Sequence, residues 1–294
     1  MLMSLRQLVT LVAIADTGSF HAAADRLAIT QSAVSMQMKA LEEDLQASLF
    51  DRARRPPNLR ENARPLIDQA RQILRLHEDF RLGARATGAV FGTLRIGVIP
   101  TASTGILPDA LAILRERTPL LQVRIENELT TELIRRIERG MLDAAILTEP
   151  SRISAGLRCR TILEERLLVV APADSPGAND DELLNALPFV RFNRRAGVGR
   201  AIDTALRARG IDVQECMELD SIESILMMVS RGLGAAVVPE RSISPEQRTM
   251  LKCLPFGNPA IRRRVGLLER AGRGPSPLTD VLHEALTEVL RHPA

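Results

Sequence analysis

The hydrophobic positions of this chain follow a helical period first and a strand-and-helix alternation later. Phe20, Ala23, Ala24 and Leu27 keep the i, i+3, i+4, i+7 spacing of one buried helix face, and Ser19 stands where an N-cap belongs. Ala28-Ile29 makes a tight turn, and Thr30 caps a second helix. In that helix Val34, Met38, Leu41 and Leu45 face inward, while Ser32, Ser35, Met36 and Lys39 share the opposite face. This first segment closes near Leu59, just after Arg54-Arg55-Pro56-Pro57.

A long helix follows. Leu66, Ala70, Ile73, His77, Phe80 and Ala84 alternate steps of four and three, with no Gly or Pro between Leu66 and Leu82. The pattern predicts a dimerisation rod, the alternative being a surface helix packed on its own domain. After Gly83 to Gly88 the texture changes. Strands are predicted over 93–99, 121–128, 142–147, 167–171, 189–192 and 235–238, with helices over 107–117, 130–139 and 202–209. Such β-α-β repeats imply a parallel sheet. Crossovers between two lobes are expected near 161–167 and 262–268, and a last helix over 278–290 returns to the first lobe.

Composition excludes several classes. The 294 residues are 45% hydrophobic and 26% charged, with no apolar run near the ~20 residues of a membrane span. Arg6 and Asp16 interrupt the apolar N-terminus, so no export signal is expected and the predicted location is the cytoplasm. Cys159, Cys216 and Cys253 are odd in number and far apart, which gives neither a disulfide framework nor a metal site. The histidines His21, His77, His283 and His292 have no ligand-spaced partners, and no nucleophile elbow or phosphate loop occurs. The expectation is a chain that is not an enzyme and carries no cofactor. The net charge of +3 says little about partners.

Placement says more than charge. The polar outer face of the second helix could be plain solvated surface or a protein contact. However, Arg52, Arg54, Arg55, Arg60 and Arg64 come directly after it against the single acid Glu61, as suits a wing along a phosphate backbone. Short polar side chains at the start of a recognition helix are what reach base edges in the major groove.

The run Ser19-Phe20-His21-Ala22-Ala23-Ala24-Asp25-Arg26-Leu27, then Gln31-Ser32-Ala33-Val34-Ser35, Lys39-Ala40-Leu41-Glu42-Glu43 and Leu49-Phe50-Asp51-Arg52, closely resembles the winged helix-turn-helix of LysR-type transcriptional regulators. The resemblance implies an α/β protein in three parts. These are a winged helix-turn-helix over 1–60, a linker and dimerisation helix over 61–90, and a two-lobed effector-binding domain over 91–294 like a periplasmic binding protein. Lobe I would take about 91–163 with 268–294, and lobe II about 164–267. It also implies a homodimer or homotetramer on interrupted inverted repeats in promoter DNA, with RNA polymerase as a partner where the protein activates. The DNA-contacting candidates are Ser19, His21, Thr30, Gln31, Ser32, Ser35, Met36, Lys39, Arg52, Arg54 and Arg55. Met36 stands where the family very often has arginine, and Gln46 where it usually has glycine.

In open α/β sheets, ligands settle beyond the carboxyl ends of strands, where helix N-termini offer free amides. Ile99-Pro100 ends the first strand, and a hydroxyl cluster of Thr101, Ser103 and Thr104 follows; Glu128 and Thr130 end the second, and Arg191 and Phe192 end one in the other lobe. With Gly199 and Ser221 these are the effector-binding candidates, and Arg191 opposite the hydroxyls suggests an anionic small molecule. A solute-binding protein or α/β enzyme would explain only residues 93–294, and an architectural DNA-binding protein only the N-terminus.

Overall fold

Ser4 opens the first helix with a reciprocal cap: its hydroxyl accepts from the Gln7 amide, and the Gln7 side chain accepts from the Ser4 amide. The computed structural model describes residues 3–51, 58–83, 90–150, 152–271 and 276–291. They form two compact units, residues 1–92 with 139–141 and residues 93–138 with 142–294.

The first unit runs α1 (Leu5–Thr17), α2 (Phe20–Leu27), α3 (Gln31–Leu45), β1 (Phe50–Asp51), β2 (Asn58–Leu59) and α4 (Arg64–Gly83). The Ser19 hydroxyl accepts from the Ala22 amide at 3.0 Å, and that of Thr30 from the Ala33 amide at 3.2 Å. Ala28 and Gln46 end their helices in the left-handed region, at φ 53° and 50°, where a side chain costs roughly 1–2 kcal/mol relative to the right-handed form. Leu11, Phe20, Val34, Met38, Leu41 and Phe50 form the core, with the Phe20 and Phe50 rings edge to face at 4.9 Å.

Leu45, expected inside, is exposed; α3 stops there, and Leu49 and Phe50 are buried beyond it. The start of α4 buries Ile67 and Ala70 in this core, but further along Ile73, Leu76 and Phe80 are exposed at 38%, 69% and 78%. Their spacing of three and four keeps an apolar stripe open. It passes through Leu76 rather than the expected His77.

The second unit continues with β3 (Gly92–Val98), α5 (Pro100–Ser103), α6 (Leu107–Arg117), β4 (Leu121–Asn127), α7 (Thr130–Glu138) and β5 (Ala144–Thr148). Next come β6 (Leu157–Pro172), α8 (Asp180–Ala186), β7 (Phe189–Phe192), α9 (Gly197–Ala208), β8 (Glu215–Leu219) and α10 (Ile222–Ser230). It closes with β9 (Ala236–Pro239), α11 (Pro245–Met250), β10 (Leu251–Pro255), β11 (Arg262–Arg270) and α12 (Pro277–Arg291).

The main sheet has the order β10-β6-β11-β5-β3-β4, with β9 also on β6, and β7 pairs with β8 separately. The expected parallel sheet is corrected to a mixed one. β3 with β5 and β7 with β8 are parallel, but β6 runs antiparallel to β9, β10 and β11, and β11 antiparallel to β5. β6 runs through both halves of the sheet: its residues 157–166 pair with β11, and its residues 167–172 with β9 and β10. Around these strands lie two apolar cores, one holding Leu94, Ile96, Leu133, Ile146 and Leu282, the other Val169, Leu183, Phe189, Ile225 and Phe256.

Candidate functional site

On the first unit, Gln31, Ser32, Ser35, Met36 and Lys39 are exposed along α3, with Met36 at 69%. The Thr30 and Ser32 hydroxyls lie 2.9 Å apart, and Lys39 Nζ stands 3.9 Å from Glu43. Ser19 and Thr30 spend an acceptor lone pair on caps, so they fix the two helix starts. His21 is exposed, its Nε2 3.6 Å from Asp25. β1 and β2 pair antiparallel, Phe50 opposite Leu59, as the base of a wing. Arg52, Arg54 and Arg55 lie outside the described residues. Sequence reasoning missed Glu42, whose carboxylate accepts the Leu49 and Phe50 amides at 2.8 and 3.1 Å and so ties α3 to the wing. A glutamate on a helix carries no periodic signal of such a role.

In the second unit a narrow cleft lies where β3 and β5 end and α7 and α9 begin. Ile99, Pro100, Thr101, Leu129, Thr130 and Thr148 line one side, and Phe192, Ala196, Gly197 and Val198 the other. Its free volume is about 10 Å³, about the room one water needs. Thr130 is 4% exposed, and the buried hydroxyls of Thr130 and Thr148 have no hydrogen-bond partner among the described residues. Burying unpaired hydroxyls is costly, so these two can take a hydrogen-bonding group that enters the cleft. No side chain caps α9, since Ala196 holds that position, so its first turn starts without a side-chain acceptor for its amides.

Behind the cleft, β6 and β11 bring Glu165 opposite Arg263. Arg263 Nε and Nη2 lie 2.8 and 2.6 Å from Glu165 Oε1, and both side chains are buried. Arg263 Nη1 donates to Thr101 Oγ1 at 2.9 Å, and Glu165 Oε2 accepts the Arg241 amide at 3.2 Å. Burial lowers the arginine's pKa, and the Glu165 carboxylate opposes that shift.

Of the sequence candidates, Thr101, Thr130 and Phe192 meet in the cleft. The others are placed elsewhere. Arg191 alternates with Phe192 on β7 and faces the opposite way; it binds Asp203 and Glu215 and lies 5.0 Å over the Phe189 ring. Its charge is spent on holding α9 and β8. Ser103 donates to Asn127 at 2.6 Å, and Glu128 joins Glu126 and Glu132 around Arg136. The Ser221 hydroxyl donates to Glu223 at 2.6 Å, and Thr104 bonds the same carboxylate, which is held below its ordinary range first by Ser221. At Gly199 a Cβ would lie 2.0 Å from the Asn193 carbonyl oxygen, so this glycine serves close packing of α9. Thr148 and Gly197 were not among the candidates, and the fold brings them together.

A larger groove of about 750 Å³ includes Thr104, Glu223, Arg166, Glu240 and Arg248. Arg166 grips Glu240 at 2.6 and 2.9 Å, so these charges satisfy one another.

Residues 5–63 match the model of the bacterial regulatory helix-turn-helix proteins of the lysR family, and residues 87–291 that of the LysR substrate binding domain. A probable RuBisCO transcriptional regulator of Trichormus variabilis is 32% identical over 92% of this chain and 83% of its own. The one from Cyanophora paradoxa is 31% identical over 96% and 91%. Full-length OxyR of Pseudomonas aeruginosa, carrying a cysteine-to-aspartate change, superposes with a TM-score of 0.71 at 25% identity, covering 97% of this chain and 98% of that one. Full-length CbnR in complex with its target DNA gives 0.69 at 21% identity, covering 97% and 99%. The chain belongs to the LysR family. It is a transcription regulator with a DNA-binding helix-turn-helix and an effector-binding domain, and not an enzyme.

Proposed function

We propose that this regulator binds its effector in the cleft of Thr101, Thr130, Thr148, Phe192 and Gly197, between a lobe I of about 91–163 with 268–294 and a lobe II of about 164–267. The observation that carries this is the pair of buried hydroxyls, Thr130 at the start of α7 and Thr148 at the end of β5, left without partners among the described residues. Apolar walls at Ile99, Leu129 and Val198 suit a small organic molecule; the uncapped start of α9 and the hydroxyls suit its anionic end. A volume of about 10 Å³ admits no such molecule, so the lobes part to let it in. Effector binding then biases the lobe angle and, through the assembly, the spacing of the DNA-reading helices.

Gln31, Ser32, Ser35, Met36 and Lys39 read the major groove of interrupted inverted repeats in promoter DNA, and His21 with the arginines of the wing meets phosphate. Two copies join through Ile73, Leu76 and Phe80 of α4, and dimers pair into tetramers in the cytoplasm. RNA polymerase is the further partner where the protein activates. The test is a gel shift on DNA upstream of the regulator's own gene at physiological salt, with and without residues 1–60. A specific shift lost on deletion is expected. Calorimetry with candidate effectors on Thr130→Val and Thr148→Val tests the cleft; unchanged affinity in both would place the effector elsewhere.

A further inference from the structure

We propose that Arg263 is a positioning residue that sets the charge preference of the cleft through Thr101, turning its hydroxyl into a fixed donor for an anionic effector. This rests on the cleft being the effector site. Arginine has donors only, so in the 2.9 Å contact with Arg263 Nη1 the Thr101 oxygen must accept. Among the described residues no acceptor receives the Thr101 proton, and Thr101 is buried at the cleft wall. The proton is therefore left for the ligand, and a neighbouring cation makes it a stronger donor.

The arginine cannot turn away. Its side chain is 2% exposed, and Glu165 holds Nε and Nη2 while the Arg241 amide holds the other carboxylate oxygen. These contacts run from the cleft wall through both long strands to the segment after β9. Arg191 and Glu128, the charged candidates nearest in sequence, are engaged by other side chains. Among the described residues Arg263 is thus the cation whose hydrogen bond reaches a cleft hydroxyl, and it selects for a ligand that presents an acceptor there. A carboxylate or phosphoryl group fits; an amide nitrogen in that place does not.

Acetate and acetamide have the same shape and differ in charge and in one acceptor, so they are suitable probes. Each is titrated into the full-length protein, following the Thr130 and Thr148 methyl resonances by NMR. The variants are Thr101→Val, Arg263→Lys and the pair Glu165→Met with Arg263→Met, which removes both buried charges together and so leaves no unpaired ion. Melting curves establish that each variant is folded. In the natural protein acetate binds about tenfold more tightly than acetamide, the scale of one hydrogen bond to a charged group. In the double-methionine and Thr101→Val variants this ratio falls to near one, and Arg263→Lys recovers part of it.

A purely structural role would weaken both probes equally and leave the ratio intact. That result in the double variant overturns the assignment of Arg263 while the cleft stands. If acetate moves neither threonine methyl in the natural protein, the cleft reading itself fails, and this proposal with it.

Discussion

Gly197 and Thr148 face each other so closely that a Cβ on the glycine would lie 2.8 Å from the threonine Cβ and 3.2 Å from the Thr130 hydroxyl. Gly197 is the first residue of α9, and its backbone would accept alanine without strain. The obstacle is the opposing wall. Gly197→Ala therefore wedges the cleft at a cost of about 1–3 kcal/mol to its closed form. We expect effector affinity to change at least tenfold in calorimetry while α9 remains folded by circular dichroism.

Lys39 and Met36 are exposed on one face of α3. Lys39→Ala should lower the slope of log affinity against log salt by about one in gel-shift titrations, as loss of one phosphate contact does. Met36→Arg should raise that slope by about one and change base preference, because it replaces an apolar side chain able to touch a thymine methyl with a donor fork. An unchanged slope in both would remove α3 from the DNA interface.

Ile73, Leu76 and Phe80 lie exposed on α4. Leu76→Asp with Phe80→Asp puts two charges where the dimer seam is proposed, so sedimentation should show smaller species. Their exposure means the core of the first unit loses nothing, so its melting should move little.

Arg166 bonded to Glu240 holds that carboxyl below its ordinary range, against an opposing effect of burial. A depressed acid stabilises the fold above its unfolded pKa of about 4.3 and stops doing so as pH falls through the lower folded value. Stability should be level near neutrality and drop below about pH 4.3. In Glu240→Gln that acid drop should be shallower in urea melts run across the range.

Cys159 has its thiol raised to about 11, first by burial and then by Glu149 and Glu269. The thiolate is the reactive form, and at pH 7.5 its fraction is on the order of 1 in 10³ or less. Mass spectrometry after brief maleimide treatment should find Cys216, which is exposed, labelled well ahead of Cys159.

The helix pair was legible in the sequence because every determinant of it is local. Ser19 and Thr30 cap their helices within three residues, and the periodicity that buries Val34, Met38 and Leu41 belongs to one helix. β7 and α6 could be read for the same reason. Sheet direction could not, because β6 and β11 meet across about a hundred residues and their register follows from pairing rather than from local pattern. Nor could the cleft be read in full. Thr101, Thr130 and Phe192 line the cleft and stand at or just after strand ends in the sequence; Thr148 stands in no such cluster, and Arg191 points away from the cleft because one step along a strand reverses the face.

The sequence by itself determined the family, the capped helix pair and the methionine at position 36 on its outer face, since these depend on residues near one another in the chain. Tertiary structure alone decided which hydroxyls remain unpaired, which glycine lets the walls approach, and which arginine touches the cleft. Those properties arise from contacts between segments far apart in sequence, whose burial and hydrogen bonding exist only once the two long strands lie side by side.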